Sequence, residues 1–253
     1  SQKLPYPGKL RLKSEIAEKN ILITQRDLEE ARLTITRDVK MAFYELCFVL
    51  SATTITQENK TLLEQFVSIA ESKYSVGKGL QQDVLKAQVE LTKIMEQLIE
   101  LEKLEGMEKA KLNSLMNLLP QEPLAILHGI TKTHFNFTVQ ELQAIAEKNR
   151  PLLSKISSLK ERYGISKKLA EKEYYPNFNV GFKYSQREGT SRIDRPDLVS
   201  AFVGINIPIW YKTKQSRRVS ESAYKIEMAG ETYNKARNQI FLNIKELVDK
   251  ERQ

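Results

Sequence analysis

The chain has 253 residues, 41% hydrophobic and 28% charged, enough apolar content to fold as one large domain or two small ones. Its net charge of +8 admits nucleic acid, an anionic membrane surface or a basic solvated exterior as readings; the bases are interleaved with acids, which favours the last. One cysteine, Cys47, excludes an intrachain disulfide and any multi-cysteine metal site, and its helical surroundings mark it as a buried thiol.

The first ten residues, SQKLPYPGKL, hold no apolar leader segment. No uninterrupted run of about 18 apolar residues marks a membrane helix. The last residues, KELVDKERQ, stop in mid-pattern without a cap, so a longer natural chain is expected.

Between Pro7 and Pro120 there is no proline, and between Gly8 and Gly77 no glycine. Residues 12–73 are therefore expected as one helix, or two nearly continuous ones, on the order of 90 Å long at the α-helical rise. A second helix is expected from about residue 80 to 118, ended by Pro120 and Pro123.

The two helices carry matching apolar tracks. Val84, Ala87, Leu91, Ile94, Leu98 and Leu101 follow the 3-4 spacing of a coiled-coil seam. Ile35, Val39, Ala42, Leu46 and Val49 show the same rhythm, continued by Thr53, Thr56, Lys60, Leu63, Val67, Ala70 and Tyr74. Pairing 70 with 84, 67 with 87, 63 with 91, 60 with 94, 56 with 98 and 53 with 101 makes the seams mirror each other about Gly77. Glycine accepts the positive φ of a tight reversal. The spacing thus predicts a long antiparallel helical hairpin whose tip is roughly VGKGL, with Asp83 in the first turn of the returning helix, where an acid suits the helix dipole. Thr53, Thr56 and Lys60 interrupt the seam and read as a loosened or water-facing segment. Further apolar positions, Leu62, Phe66 and Ile69 on one helix and Leu85, Val89 and Ile99 on the other, require more helices, from this chain or from other subunits.

After irregular residues 121–139, Thr138 and Glu141 have the spacing of a capping box for a short helix that Asn149-Arg150-Pro151 ends. Another helix is expected over 152–173. The period then changes to two. Phe178, Val180, Phe182 and Tyr184 alternate with Asn177, Asn179, Gly181 and Lys183. Val199, Ala201, Val203, Ile205 and Ile207 alternate with Ser200, Phe202, Gly204 and Asn206. The pattern predicts two strands with one apolar face and one polar or small face. Tyr174 and Tyr175 precede the first strand, and Trp210 and Tyr211 follow the second. Such strands fit a transmembrane β-barrel hairpin with interfacial aromatics, or a soluble antiparallel sheet with a water-facing side.

An internal repeat relates the two ends. Pro5 and Lys9 match Pro208 and Lys212 at an offset of 203. Ala31, Arg32, Ile35, Val39 and Lys40 match Ala236, Arg237, Ile240, Ile244 and Lys245 at an offset of 205. Each copy runs from a strand end through proline into a long helix, which makes residues 1–5 a strand tail.

The ordered set PYPGKL, YSVGKGLQQDVLKAQVEL, NRPLL, EYYPNF and VGINIPIW resembles the TolC family of outer-membrane efflux ducts over nearly the whole chain. The resemblance implies a mainly α fold, a long coiled-coil hairpin joined to part of a transmembrane β-barrel. Its expected organisation is a strand end and junction (1–11), the helical hairpin with its tip near 77 (12–119), an equatorial segment (120–151), a helix (152–173), the barrel hairpin (174–211) and the start of a second long helix (212–253). It further implies a homotrimer in the bacterial outer membrane with helices in the periplasm, docked to a periplasmic adaptor (a membrane fusion protein) and through it to an inner-membrane pump. The adaptor-docking residues would be Tyr74, Val76, Gly77, Lys78, Gly79, Leu80 and Asp83. Phe178, Val180, Phe182, Val203 and Ile205 would face lipid, and Tyr174, Tyr175, Trp210 and Tyr211 would form the aromatic belt. Compared with the family's protomer, this chain has one strand hairpin and one helical hairpin fewer, so it is expected to be a fragment, and the family's acidic gate would lie on the missing hairpin.

Catalytic signatures are lacking. GKGLQQD departs from the phosphate-loop pattern GxxxxGK[ST]. His128 and His134 have no cysteine partners for zinc. Met41, Met95, Met107, Met116 and Met228 are spaced as packing residues rather than as a soft-metal relay. No enzyme activity, cofactor, metal or nucleic-acid partner is expected. The rival to an export duct is a soluble coiled-coil scaffold that binds a partner through its hairpin tip. A duct requires the apolar strand face to meet lipid, whereas a scaffold requires that face to be buried on its own helices.

Overall fold

A computed structural model describes residues 1–124, 136–187 and 197–251. His128 and His134, and most of the loop between the two long strands, lie outside the described residues. The elements in chain order are β1 (Gln2–Leu4), α1 (Lys9–Ser75), α2 (Gln81–Leu115), α3 (Val139–Asn149), α4 (Pro151–Lys172), β2 (Asn177–Ser185), β3 (Leu198–Asn206) and α5 (Gln215–Glu251). Contacts divide the chain into two units, Ser1–Glu30 with Asn136–Gln253, and Ala31–Phe135.

The unit Ala31–Phe135 is the helical hairpin. Since no breaker falls between Gly8 and Gly77, α1 is one helix of 67 residues. Every seam residue from Thr53 to Ala70, and from Val84 to Leu101, is buried or half-buried, while its sequence neighbours are mostly exposed. The mirror relation extends further than expected. Ala42 and Leu46 form a buried core with Leu112, flanked by Val39, Leu50 and Leu115.

Two seam residues do not take their places. Ile35 and Tyr74 are both about half exposed. The mirror partner of Ile35 would be Leu119, beyond the end of α2, and that of Tyr74 would be Leu80, which precedes α2, so neither faces a helix. The expectation that Thr53, Thr56 and Lys60 loosen the seam is also corrected, for all three are half-buried. Thr53 returns its hydroxyl to the Val49 carbonyl at 2.9 Å. Lys60 lays its stem along the interface and carries its ammonium to 3.6 Å from Glu64.

The expectation of no membrane-length apolar helix is qualified. α1 contains an 18-residue window apolar enough, by length and composition, to cross a membrane. Counting only uninterrupted apolar runs missed it, and a core helix passes the same test.

The reversal is a Schellman motif. Lys78 N–H donates to the Lys73 carbonyl at 2.9 Å and Gly77 N–H to the Tyr74 carbonyl at 3.0 Å, with Gly77 at φ 72°. Gly77→Ala meets no steric obstacle, since nothing lies within 4 Å of its added Cβ. Its cost is conformational, on the order of 1–2 kcal/mol, read as a lowered denaturation midpoint with unchanged helix content. Gly79 is constrained differently. A Cβ there would sit 3.1 Å from the Lys73 Cβ and 3.2 Å from the Tyr74 nitrogen. A second Schellman motif ends α2, with Asn117 at φ 60° and Leu118 N–H donating to the Asn113 carbonyl at 2.9 Å.

In the other unit, α4 and α5 pack along each other and α3 packs on α5. The Thr138–Glu141 capping box opens α3. Pro151 is the first residue of α4, where its missing N–H costs nothing. Glu30 holds the α3–α4 corner to α1, accepting from Arg150 at 2.7 Å and from Leu152 N–H at 3.2 Å.

The three strands form an antiparallel sheet in the order β1-β2-β3. Register pairs Phe178 with Ile205, Val180 with Val203 and Phe182 with Ala201, so the apolar residues of both long strands share one face. Asn177 with Asn206 and Lys183 with Ser200 share the other. That second face is not entirely polar or small, as Phe202 lies over Gly181. A Cβ at Gly181 would fall 2.1 Å from the Phe202 ring, so this glycine is required by the aromatic covering it.

Candidate functional site

Three regions bear on function, namely the hairpin tip, the apolar sheet face and the junction where strands become helices.

At the tip, Val76 and Leu80 are about two-thirds exposed and Lys78 and Asp83 are exposed. Tyr74 is exposed beside them. Gly77 and Gly79 have backbone reasons to be glycine, so the groups available to a partner are Val76, Lys78, Leu80 and Tyr74. Leu80 holds the extended conformation that opens α2 without a side-chain cap, which leaves its isobutyl group free at the end of the hairpin.

On the sheet, Val203 is 74% exposed, Phe182 70% and Ile205 58%. Phe178 and Val180, on the central strand between two neighbours, are half-buried. Neither Val203 nor Phe182 is covered by the unit's own helices.

The junction is tied by polar contacts. Asn177, the first residue of β2, accepts from the Tyr6 N–H at 3.2 Å and from the Lys9 ammonium at 2.7 Å. Lys9 also donates to the Tyr175 carbonyl at 3.1 Å. Its ammonium is buried, which lowers its pKa from the ordinary 10.5; the Glu173 carboxylate opposes that shift and Lys13 adds to it. The Tyr6 and Tyr175 rings stack with centroids 4.5 Å apart, and the Lys172 ammonium lies 5.3 and 5.6 Å from their centres. Tyr174 packs near Tyr211 at 6.3 Å. Trp210 is about three-quarters exposed. The four expected belt aromatics therefore divide into three arrangements: Tyr175 joined to the junction, Tyr174 beside Tyr211, and Trp210 exposed.

The family described as outer membrane efflux protein matches residues 1–119. The fold is that of the Vibrio cholerae outer membrane protein VceC, with a TM-score of 0.83 at 17% identity, covering 99% of this chain and 60% of that one. The Campylobacter jejuni CmeC outer membrane channel follows at a TM-score of 0.77 and 13% identity, covering 92% and 51%. A curated relative, an uncharacterized protein of Haemophilus influenzae, is 23% identical over 218 residues.

Residues 1–119, a little under half of the chain, are similar to the outer membrane efflux protein family, and the whole chain shares the fold of the solved channels.

The chain spans about half the length of the curated relative it matches, 47%. The family it matches is described as an efflux protein, and its fold neighbours are outer membrane proteins and channels. Among the described residues no cluster of three or more metal-binding side chains occurs. In terms of the family fold, PYPGKL is the strand-to-helix turn that Tyr6 and Lys9 tie down. Sequence reasoning singled out Lys9 only as a repeat partner of Lys212, and the two differ, since Lys9 is buried and Lys212 exposed. It missed Tyr6 and Lys172 altogether. Aromatic Tyr6 between two prolines, next to the strand tail, was the available signal.

Proposed function

We propose that this chain is part of a passive trimeric duct of the bacterial outer membrane, whose apolar strand face meets lipid and whose helical tip docks a periplasmic adaptor that connects it to an inner-membrane pump. The observation that carries the reading is the exposure of Val203, Phe182 and Ile205 on one face of a regular sheet, with residues that are polar or small, apart from Phe202, on the other. Leaving these side chains in water would be unfavourable by roughly 1.5–3 kcal/mol each compared with burial, so a lipid contact is the economical explanation. A soluble scaffold requires that face under helices, and its exposure speaks against one.

The hairpin supplies support for assembly. Leu62, Phe66 and Ile69, all half-exposed or more, each precede a seam residue, whereas Leu85 and Ile99 each follow one. One residue is about 100° of helix rotation, and in antiparallel helices opposite steps reach opposite faces. A hairpin apolar on both faces suits heterologous packing between neighbours, the kind that closes into rings.

The tip is tested with Val76→Asp/Leu80→Asp in the full-length protein, expressed in cells lacking their own duct. Both side chains are already exposed, so folding and trimer cross-linking are expected to be unchanged. Export of a fluorescent dye is expected to fall by about tenfold, as for the loss of a small apolar hot spot. Unchanged export would remove the tip from docking, and a full-length protein that is monodisperse without detergent would remove the duct.

A further inference from the structure

The junction holds a second feature that neither the family match nor the fold assigns. A cavity of about 720 Å³ opens on the polar face of the sheet, between the start of α1 and the start of α5. Its wall includes Lys3, Lys9, Lys13, Lys214 and Arg218, against one carboxylate, Glu173. Glu173 is already engaged by Arg218 at 2.6 Å. Lys9 donates only to neutral oxygens, those of Asn177 and Tyr175. The wall therefore carries four more positive charges than negative ones, five bases against one acid.

We propose that this cavity is a binding site for multivalent anionic solutes, phosphate- or carboxylate-bearing, on the path of export. Electrostatics supply the attraction, because several like charges around a partly enclosed volume add their potentials. A second observation points to a missing ligand. Gln215, the first residue of α5, is only 8% exposed and lines the cavity, and its Oε1 has no hydrogen-bond partner. A buried amide is normally satisfied. Since its oxygen and nitrogen exchange places by a simple flip, the group can present an N–H to an anion or accept from a hydroxyl that the solute carries. It stands at the N-terminus of a helix of 37 residues, the positive end of the dipole. Lys13, Lys214 and Arg218 are exposed enough to adjust to the solute, while buried Lys9 is fixed in place.

Placement on the export path rests on the duct reading, since the polar strand face is then the lumen face; binding itself does not. The test uses pyrophosphate as the probe and the full-length protein in detergent, measured by calorimetry at low ionic strength. Lys13→Gln/Lys214→Gln changes two exposed side chains outside the Lys9 contacts and leaves the fold intact by circular dichroism. Binding is expected for the wild type, weakening as salt rises, and about tenfold weaker in the double variant. Lys245→Gln, on α5 away from the cavity, should match the wild type. No pyrophosphate binding at low salt, or equal binding by both proteins, overturns the site. In planar bilayers, pyrophosphate should block the wild-type current at lower concentration than the variant's. Binding without any conductance would preserve the site and refute the duct, whereas conductance without binding would do the reverse.

Discussion

Val203→Arg is expected to lower the stability of the membrane-inserted protein by roughly 2–4 kcal/mol, the depth-dependent cost of arginine on the lipid face of a barrel. Outer-membrane yield and heat-resistant trimer on gels should fall together. The informative control is Ser200→Arg, three residues away on the same strand. Ser200 pairs with Lys183 on the polar face, where a further cation has water around it, and little loss is expected. If the sheet lay in water, the two arginines would have similar and small effects. If it were buried on a partner protein, Val203→Arg would abolish that complex without altering membrane yield.

The second large effect is in the hairpin. Leu46 is fully buried and sits with Ala42 against Leu112. Leu46→Ala is expected to cost roughly 3–4 kcal/mol, the transfer free energy of the lost atoms plus that of the cavity. The midpoint of denaturant unfolding followed by helix signal should drop accordingly. Phe66→Ala, equally apolar but 60% exposed, should be nearly silent in the isolated chain. A comparable loss at both positions would mean that the seam had been placed on the wrong stripe. Once trimeric, Phe66→Ala should weaken assembly instead.

Much of this hairpin was legible from spacing alone. A 3-4 rhythm interrupted by one glycine specifies which stripe faces which, and the mirror relation follows because paired antiparallel helices rise equally per residue. The rule fails at Ile35 and Tyr74 because periodicity continues past the point where the partner helix has ended. It under-rated Lys60 because residue type says nothing about where a long aliphatic stem lies. The shared apolar face of the strands was legible for a similar reason, since a period of two puts alternate residues on one side, but the register that sets Val180 beside Val203 was not, because a two-residue slip keeps the same face. The basic cavity was not legible. Its walls come from Lys3 and Arg218, more than two hundred positions apart, and each base sits in a stretch that also contains acids. Only the fold places the bases on one side and pairs the lone acid away. The Glu30 clamp on Arg150 was hidden likewise, because nothing local connects an acid in mid-helix to a turn 120 residues later.

The central claim is that one face of this sheet meets lipid and the other water. The direct measurement is spin-label accessibility along β3 in reconstituted full-length protein, with Cys47, the one cysteine of this sequence, and any other cysteine of the full-length protein first replaced by alanine. Labels at 199, 201, 203 and 205 are expected to collide with oxygen dissolved in the bilayer, and labels at 200, 202, 204 and 206 with a water-soluble nickel chelate, alternating residue by residue. Uniform access to nickel along the strand, or protection from both reagents at 203, would contradict the account.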